Sequence, residues 1–138
     1  MKKYFLNPPT LPNWSNYFSQ VAVVEKNGLK IIYLAGQVGV DNNKNLVGNG
    51  TLQAQLEQIF INIQKALESV EAEITDIVKM NIYVVNYKPE DADIISKILQ
   101  KYFNINQLPV MSLIGIQALA EKRFLVEIDA EAYVKRVK

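Results

Sequence analysis

The sequence predicts an α+β domain, one mixed sheet with two helices packed on one face. Three observations carry this prediction. Runs with strand and helix character follow one another as strand, strand, helix, strand, helix, strand, strand. Each helical run is apolar along one side only, so one sheet face is enough to cover both. Finally, 49% hydrophobic residues in 138 is ample for a packed core, and no linker or internal repeat divides the chain, so one domain over residues 1–138 is expected.

The elements follow in order. Residues 1–18 contain Pro8, Pro9 and Pro12 and are expected to be irregular. Ser19 to Glu25 and Leu29 to Ala35 are β-rich runs separated by Lys26-Asn27-Gly28. Asn-Gly tolerates positive φ at both positions, so the two runs form a hairpin. Asp41 to Gly50 is polar and glycine-bearing and reads as a surface loop. From Leu52 the apolar residues Leu56, Ile59, Phe60, Ile63, Ala66, Leu67 and Val70 fall on one stripe of a 3.6-residue period, which defines the first helix. Ile77 to Val85 alternates Val78, Met80, Ile82 and Val84 with polar residues, as a strand with one buried face does. The second helix starts at Pro89, where a missing N–H costs nothing, and Glu90 and Asp91 suit the positive end of its dipole. Val110 to Ala118 and Arg123 to Ala132 are the last two strands, expected to form a hairpin around Ala120-Glu121-Lys122. The first of these carries apolar groups on both faces, which points to self-association.

Composition excludes several functions. Fifteen basic and fourteen acidic residues leave a net charge of +1. The basic clusters stand at the termini, Lys2-Lys3 and Lys135-Arg136-Lys138, so no stripe for nucleic acid is present. With no cysteine and no histidine, disulfides, thiolate nucleophiles, imidazole bases and the usual zinc ligands are ruled out. No metal or cofactor is expected. No apolar run reaches the length of a membrane span, and a soluble, cytoplasmic chain is expected.

Leu108 to Ala132, LPVMSLIGIQALAEKRFLVEIDAEA, together with YLAGQVG at Tyr33 to Gly39, resembles the RidA family, also called YjgF or the L-PSP endoribonuclease family. Its Pro-x-Arg-Ser is matched at Pro109 and Ser112, and its V-E-I-[ED]-A at Glu127, Ile128, Asp129 and Ala130. Met111 stands where the family's deaminases carry arginine. The resemblance implies a chorismate-mutase-like fold of the bacillus type, assembled as a homotrimer with small-molecule clefts between subunits. It also implies hydrolysis of imines or enamines derived from amino acids, with the arginine holding the substrate carboxylate by two hydrogen bonds and Glu127 directing water. Phe18 and Gly36 match cleft-lining positions, and Gln37 follows Gly36. The candidate site is therefore Glu127 as the catalytic group, with Phe18, Gly36, Gln37, Met111 and Leu113 lining the cleft.

Each of these residues has a structural reading beside the functional one. Glu127 shares its strand face with Asp129 and also fits a solvated surface. Met111 reads as packing, since methionine fills irregular apolar gaps, and a thioether cannot hold a carboxylate. Gly36 could serve only to turn the chain, and Gln37 to brace backbone. Ser112 has no histidine to activate it. Arg123, at the turn of the expected hairpin, lies near the opposite end from Met111 and is not expected to replace the missing cation. Three functions remain. The favoured one is a trimer binding a small ligand without efficient 2-imino acid deamination. The second is an imine or enamine deaminase, or a related hydrolase, that anchors its substrate differently. The third is an endoribonuclease or translation inhibitor, set last because the charge is near neutral and no histidine is present.

Overall fold

The structure is a computed structural model that describes residues 1–135. Arg136 and Lys138 of the expected C-terminal basic cluster lie outside the described residues. The six strands, β1 (Lys2–Leu6), β2 (Val21–Lys26), β3 (Leu29–Val38), β4 (Ile77–Val85), β5 (Val110–Ile116) and β6 (Val126–Lys135), form one mixed sheet in the order β1-β2-β3-β6-β4-β5. Helices α1 (Leu52–Glu68) and α2 (Pro89–Tyr102) pack together on one of its faces. The expected α+β class is observed.

Local chemistry sets the boundaries. Asn27 and Gly28 take φ of 51° and 78°, and Lys26 pairs with Leu29, so the hairpin turns where the sequence places it. The Thr51 hydroxyl accepts from the Ala54 N–H at 3.1 Å to start α1. At the far end of that helix the Lys30 ammonium, on a side chain only 8% exposed, donates to the Val70 carbonyl at 2.7 Å. It thereby closes a carbonyl that the helix leaves unpaired. Helix α2 has Pro89 in its first turn, and the Asp91 carboxylate accepts from the Lys88 N–H at 2.9 Å.

The core lies between the helices and the inner sheet face. Leu56, Ile59, Phe60, Ile63 and Leu67 of α1 meet Ile32, Met80, Ile82 and Ile128 of the sheet, all essentially without solvent exposure. Burying each such side chain stabilises the fold by about 1.5–3 kcal/mol. The Phe60 ring stacks on Tyr102 at 4.6 Å, which locks α1 to α2.

Two expectations are corrected. The start of the chain is not wholly irregular, because Lys2–Leu6 pairs antiparallel with β2 as an edge strand. Its sequence, KKYFL, lacked the alternation that marks a half-buried strand, and most of it is exposed. The second correction concerns β5 and β6, which do not form a hairpin. Strand β4 lies between them, parallel to β5 and antiparallel to β6. The 117–125 segment passes over the end of β4, where the Val85 N–H donates to the Leu125 carbonyl at 2.9 Å and the Asn86 N–H to the Ile116 carbonyl at 3.2 Å. Strand β6 takes a central place because its residues on one face, Val126, Ile128, Ala130 and Ala132, are all apolar and buried.

Candidate functional site

Register decides which side chains can meet. Along β4, Met80 and Ile82 point into the core, and they stand opposite Met111 and Leu113 of β5. Tyr83 points to the other face and stands opposite Glu127 of β6. Within one chain Met111 and Leu113 therefore lie on the helix side of the sheet and Glu127 on the open side. Two separate depressions result. A shallow groove of about 210 Å³ runs between α2 and β5 and contains Met111, Leu113, Leu108 and Ile105. A hollow of about 440 Å³ opens on the other face around Glu127, with Phe18, Gly36 and Val38 in its wall.

The hollow is built by a β-bulge. Leu34 pairs with Ala130 and Gln37 with Ile128, so Ala35 and Gly36 together stand opposite Asp129. The extra residue shifts the alternation of β3 beyond that point, turning Gln37 into the interior and Val38 outward beside Glu127. Gly36 has a steric role. A methyl group there would overlap the Glu127 carboxylate and stand 2.8 Å from its Cγ, so the Glu127 side chain can lie across the strand only because position 36 has none.

Gln37, expected in the cleft, does not line the hollow. It is 3% exposed, and its side-chain amide donates to Gln20 Oε1 at 2.7 Å and to the Ala35 carbonyl at 3.1 Å. The Gln20 side chain in turn donates to the Pro12 carbonyl at 3.2 Å, and its backbone N–H donates to Asn7 Oδ1 at 3.1 Å. This chain of amides ties residues 7–20 to the sheet and so places the aromatic wall of the hollow, Trp14, Tyr17 and Phe18. Met111 and Leu113 are likewise absent from the hollow, for the register reason given above.

The opposite wall comes from the segment before β6. Phe124, 3% exposed, and Glu121 line it, and Arg123 stands beside both. The Arg123 Nε donates to Glu121 Oε1 at 2.8 Å, and its guanidinium lies 5.1 Å from the centre of the Phe124 ring. Gln55 of α1, with no solvent exposure, holds this segment by donating to the Arg123 carbonyl at 3.1 Å and accepting from the Leu125 N–H at 2.9 Å.

Glu127 is altered by these surroundings. Burial, and then the neighbouring Asp129 carboxylate, push its pKa above the usual carboxylate value. Asp129 is itself held in place, accepting from Asn81 Nδ2 at 3.0 Å and from the Tyr83 hydroxyl at 3.1 Å. A half-buried carboxylate with a raised pKa, facing a hollow with aromatic walls, can take a proton from water and return it to a leaving group.

Residues 10–134 match the family described as endoribonuclease L-PSP. The chain belongs to the RidA family. It is 27% identical to the 2-iminobutanoate/2-iminopropanoate deaminase of Dermatophagoides farinae over 128 residues, covering 93% of this chain and 94% of that one. It is 25% identical to the human protein of the same name over 115 residues, covering 83% and 78%. A Rid-family protein of Yersinia pestis superposes with a TM-score of 0.81 at 27% identity, over 96% of this chain and all of that one.

The sequence singled out Glu127, Phe18 and Gly36, and these three lie together in the hollow. Trp14, Tyr17, Glu121 and Phe124 were missed. A signal existed for the first two, an aromatic W-x-x-Y-F cluster following the prolines. Nothing local marked Glu121 or Phe124, whose place depends on the crossing of β4.

Proposed function

We propose that this RidA-family chain forms a homotrimer whose small-ligand clefts combine the Glu127 hollow of one subunit with the Met111 and Leu113 groove of the next. The observation that carries this reading is the placement of these groups on opposite faces of one sheet. Residues that the family resemblance assigns to one site can meet only across two copies. Exposed Val110, Ile114, Leu113 and Leu108, on and beside the edge strand β5, supply apolar surface for such contacts. Work in the cytoplasm suits a chain without cysteine.

The chemistry proposed is hydrolysis of a carbon–nitrogen double bond. Water attached to Glu127 gives its proton to the carboxylate as the oxygen bonds to the imine carbon, and the nitrogen takes up a proton. The resulting carbinolamine expels ammonia and leaves a carbonyl, so one water is consumed for each ammonia released. The relatives named as 2-iminobutanoate/2-iminopropanoate deaminases support this reaction class. Met111 limits it. Without a cation at that position, a 2-imino acid has lost a two-pronged hydrogen bond to its carboxylate, and efficient deamination is not expected.

Ammonia release from freshly generated 2-iminobutanoate tests the proposal. The natural chain should be slow, Met111→Arg faster, and Met111→Arg combined with Glu127→Gln slow again. A fast natural chain, or no gain on adding arginine, would overturn the limiting role of Met111. Sedimentation giving a monomer at micromolar concentration would remove the shared cleft.

A further inference from the structure

We propose that Arg123 is the anion-recognising residue of the Glu127 hollow and that Glu121 occupies it when no ligand is bound. This rests on the reading of the hollow as the ligand site and extends it to the class of ligand. The chain has two arginines, Arg123 and Arg136, and Arg123 is the one among the described residues. It stands beside Glu121 and Phe124, two residues of the hollow wall. A single hydrogen bond engages its Nε, while its two terminal nitrogens have no side-chain partner among the described residues. The pair is about two-fifths exposed on each side, so its separation does not strand a buried charge, and the net strength of such a contact is small.

Three features make this guanidinium suited to recognition. The Phe124 ring beneath it restricts its orientation. The Gln55 amide fixes the backbone on both sides of Phe124, so the arginine is carried on a held segment. The Glu121 carboxylate already shows the kind of group it accepts, a planar oxyanion at the edge of the hollow. A small carboxylate entering the hollow would displace Glu121 from Nε and bond in a two-pronged contact to Nε and a terminal nitrogen. The anion is then held from the β6 side and not from position 111. Affinity for carboxylates is thus kept while the orientation needed for fast 2-imino acid hydrolysis is not.

Trp14, the single tryptophan, lines the hollow and reports on its occupancy through its fluorescence. The probes are 2-oxobutanoate and its uncharged amide, 2-oxobutanamide, titrated into the intact protein. The natural chain should bind the anion more tightly than the amide. Arg123→Gln should weaken the anion by about 10- to 100-fold, as expected for loss of a charged hydrogen bond, and leave the amide unchanged. Glu121→Gln should tighten the anion by a few-fold and also leave the amide unchanged. Anion binding that is the same in Arg123→Gln and the natural chain would overturn the role of Arg123 while keeping the hollow as the site. Glu121→Gln binding the anion no more tightly would overturn the displacement. Binding of neither probe to any variant would overturn the hollow itself.

Discussion

The Met111 groove and the Glu127 hollow lie on opposite faces of one sheet and are made from different materials. The Met111 groove is a gap in apolar packing, floored by Ile82 and walled by α2, and holds no charged group. The Glu127 hollow is made by irregularity, a bulge at Ala35–Gly36, an amide chain through Gln37 and Gln20, and a crossing segment pinned by Gln55. The groove offers apolar surface and no ionisable group, and Ile82, Ile95 and Leu99 in its lining also belong to the core. The hollow depends on hydrogen bonds that an ordinary sheet does not need, and these act to place a carboxylate against aromatic walls. Chemistry belongs with the second.

The contrast can be tested from its largest expected effect downward. Ile82→Ala, on the groove side, should cost about 2–5 kcal/mol in denaturant unfolding, because Ile82 is 1% exposed and also belongs to the core. A cost below that range would mean the inner face is loosely packed. Gly36→Ala, on the hollow side, should cost about 1–3 kcal/mol, since the new methyl group displaces the Glu127 side chain. It should also abolish the Trp14 response to 2-oxobutanoate, and a retained response would show that Glu127 has room to move. Gln55→Leu should cost about 1–3 kcal/mol by leaving the Arg123 carbonyl and Leu125 N–H unpaired.

The smallest effect is on pH. The Glu127 pKa is raised in the folded chain, so the folded state favours its protonated form. Its contribution to stability is complete below the ordinary carboxylate pKa and is lost as pH rises through the higher folded value. Glu127→Gln should therefore be more stable than the natural chain at neutral pH, with the difference vanishing in acid. Thermal unfolding of both proteins across pH reads this directly, and a variant that is less stable at neutral pH would refute the assigned burial.

Much of this was legible from periodicity alone. Both helices, the Asn-Gly hairpin and β4 follow from patterns within a few residues of one another, where side-chain spacing and backbone geometry are tightly linked. The order of strands was not legible. The choice between β5 pairing with β6 and β4 inserting between them rests on how 117–125 crosses a strand end, a tertiary event with no local mark. The bulge was hidden for a related reason: Gly36 announced a special backbone, but the strand was expected to end at Ala35 when it continues to Val38. Gln55, Gln58 and Asn62 are spaced as one helical stripe, yet all three are buried. Asn62 donates to the Val38 and Val40 carbonyls at 3.1 and 3.0 Å. Amides on a helix usually signal a wet face, and only contact with the irregular end of β3 makes them interior.

The pairing of β3 with β6 has a kinetic consequence. Leu29 pairs with Lys135 and Val38 with Glu127, so the middle of the sheet joins residues from opposite ends of the chain. Such contacts close a very large loop and form late and slowly, after the hairpin and helices that need only neighbouring residues. The carboxylate meets Gly36 only at that last step. A nascent chain still lacking β6 has neither hollow nor covered core, and its open β3 and β4 edges are free to pair with other chains. Refolding at high concentration should therefore aggregate before it regains the Trp14 signal, and dilution should restore the yield.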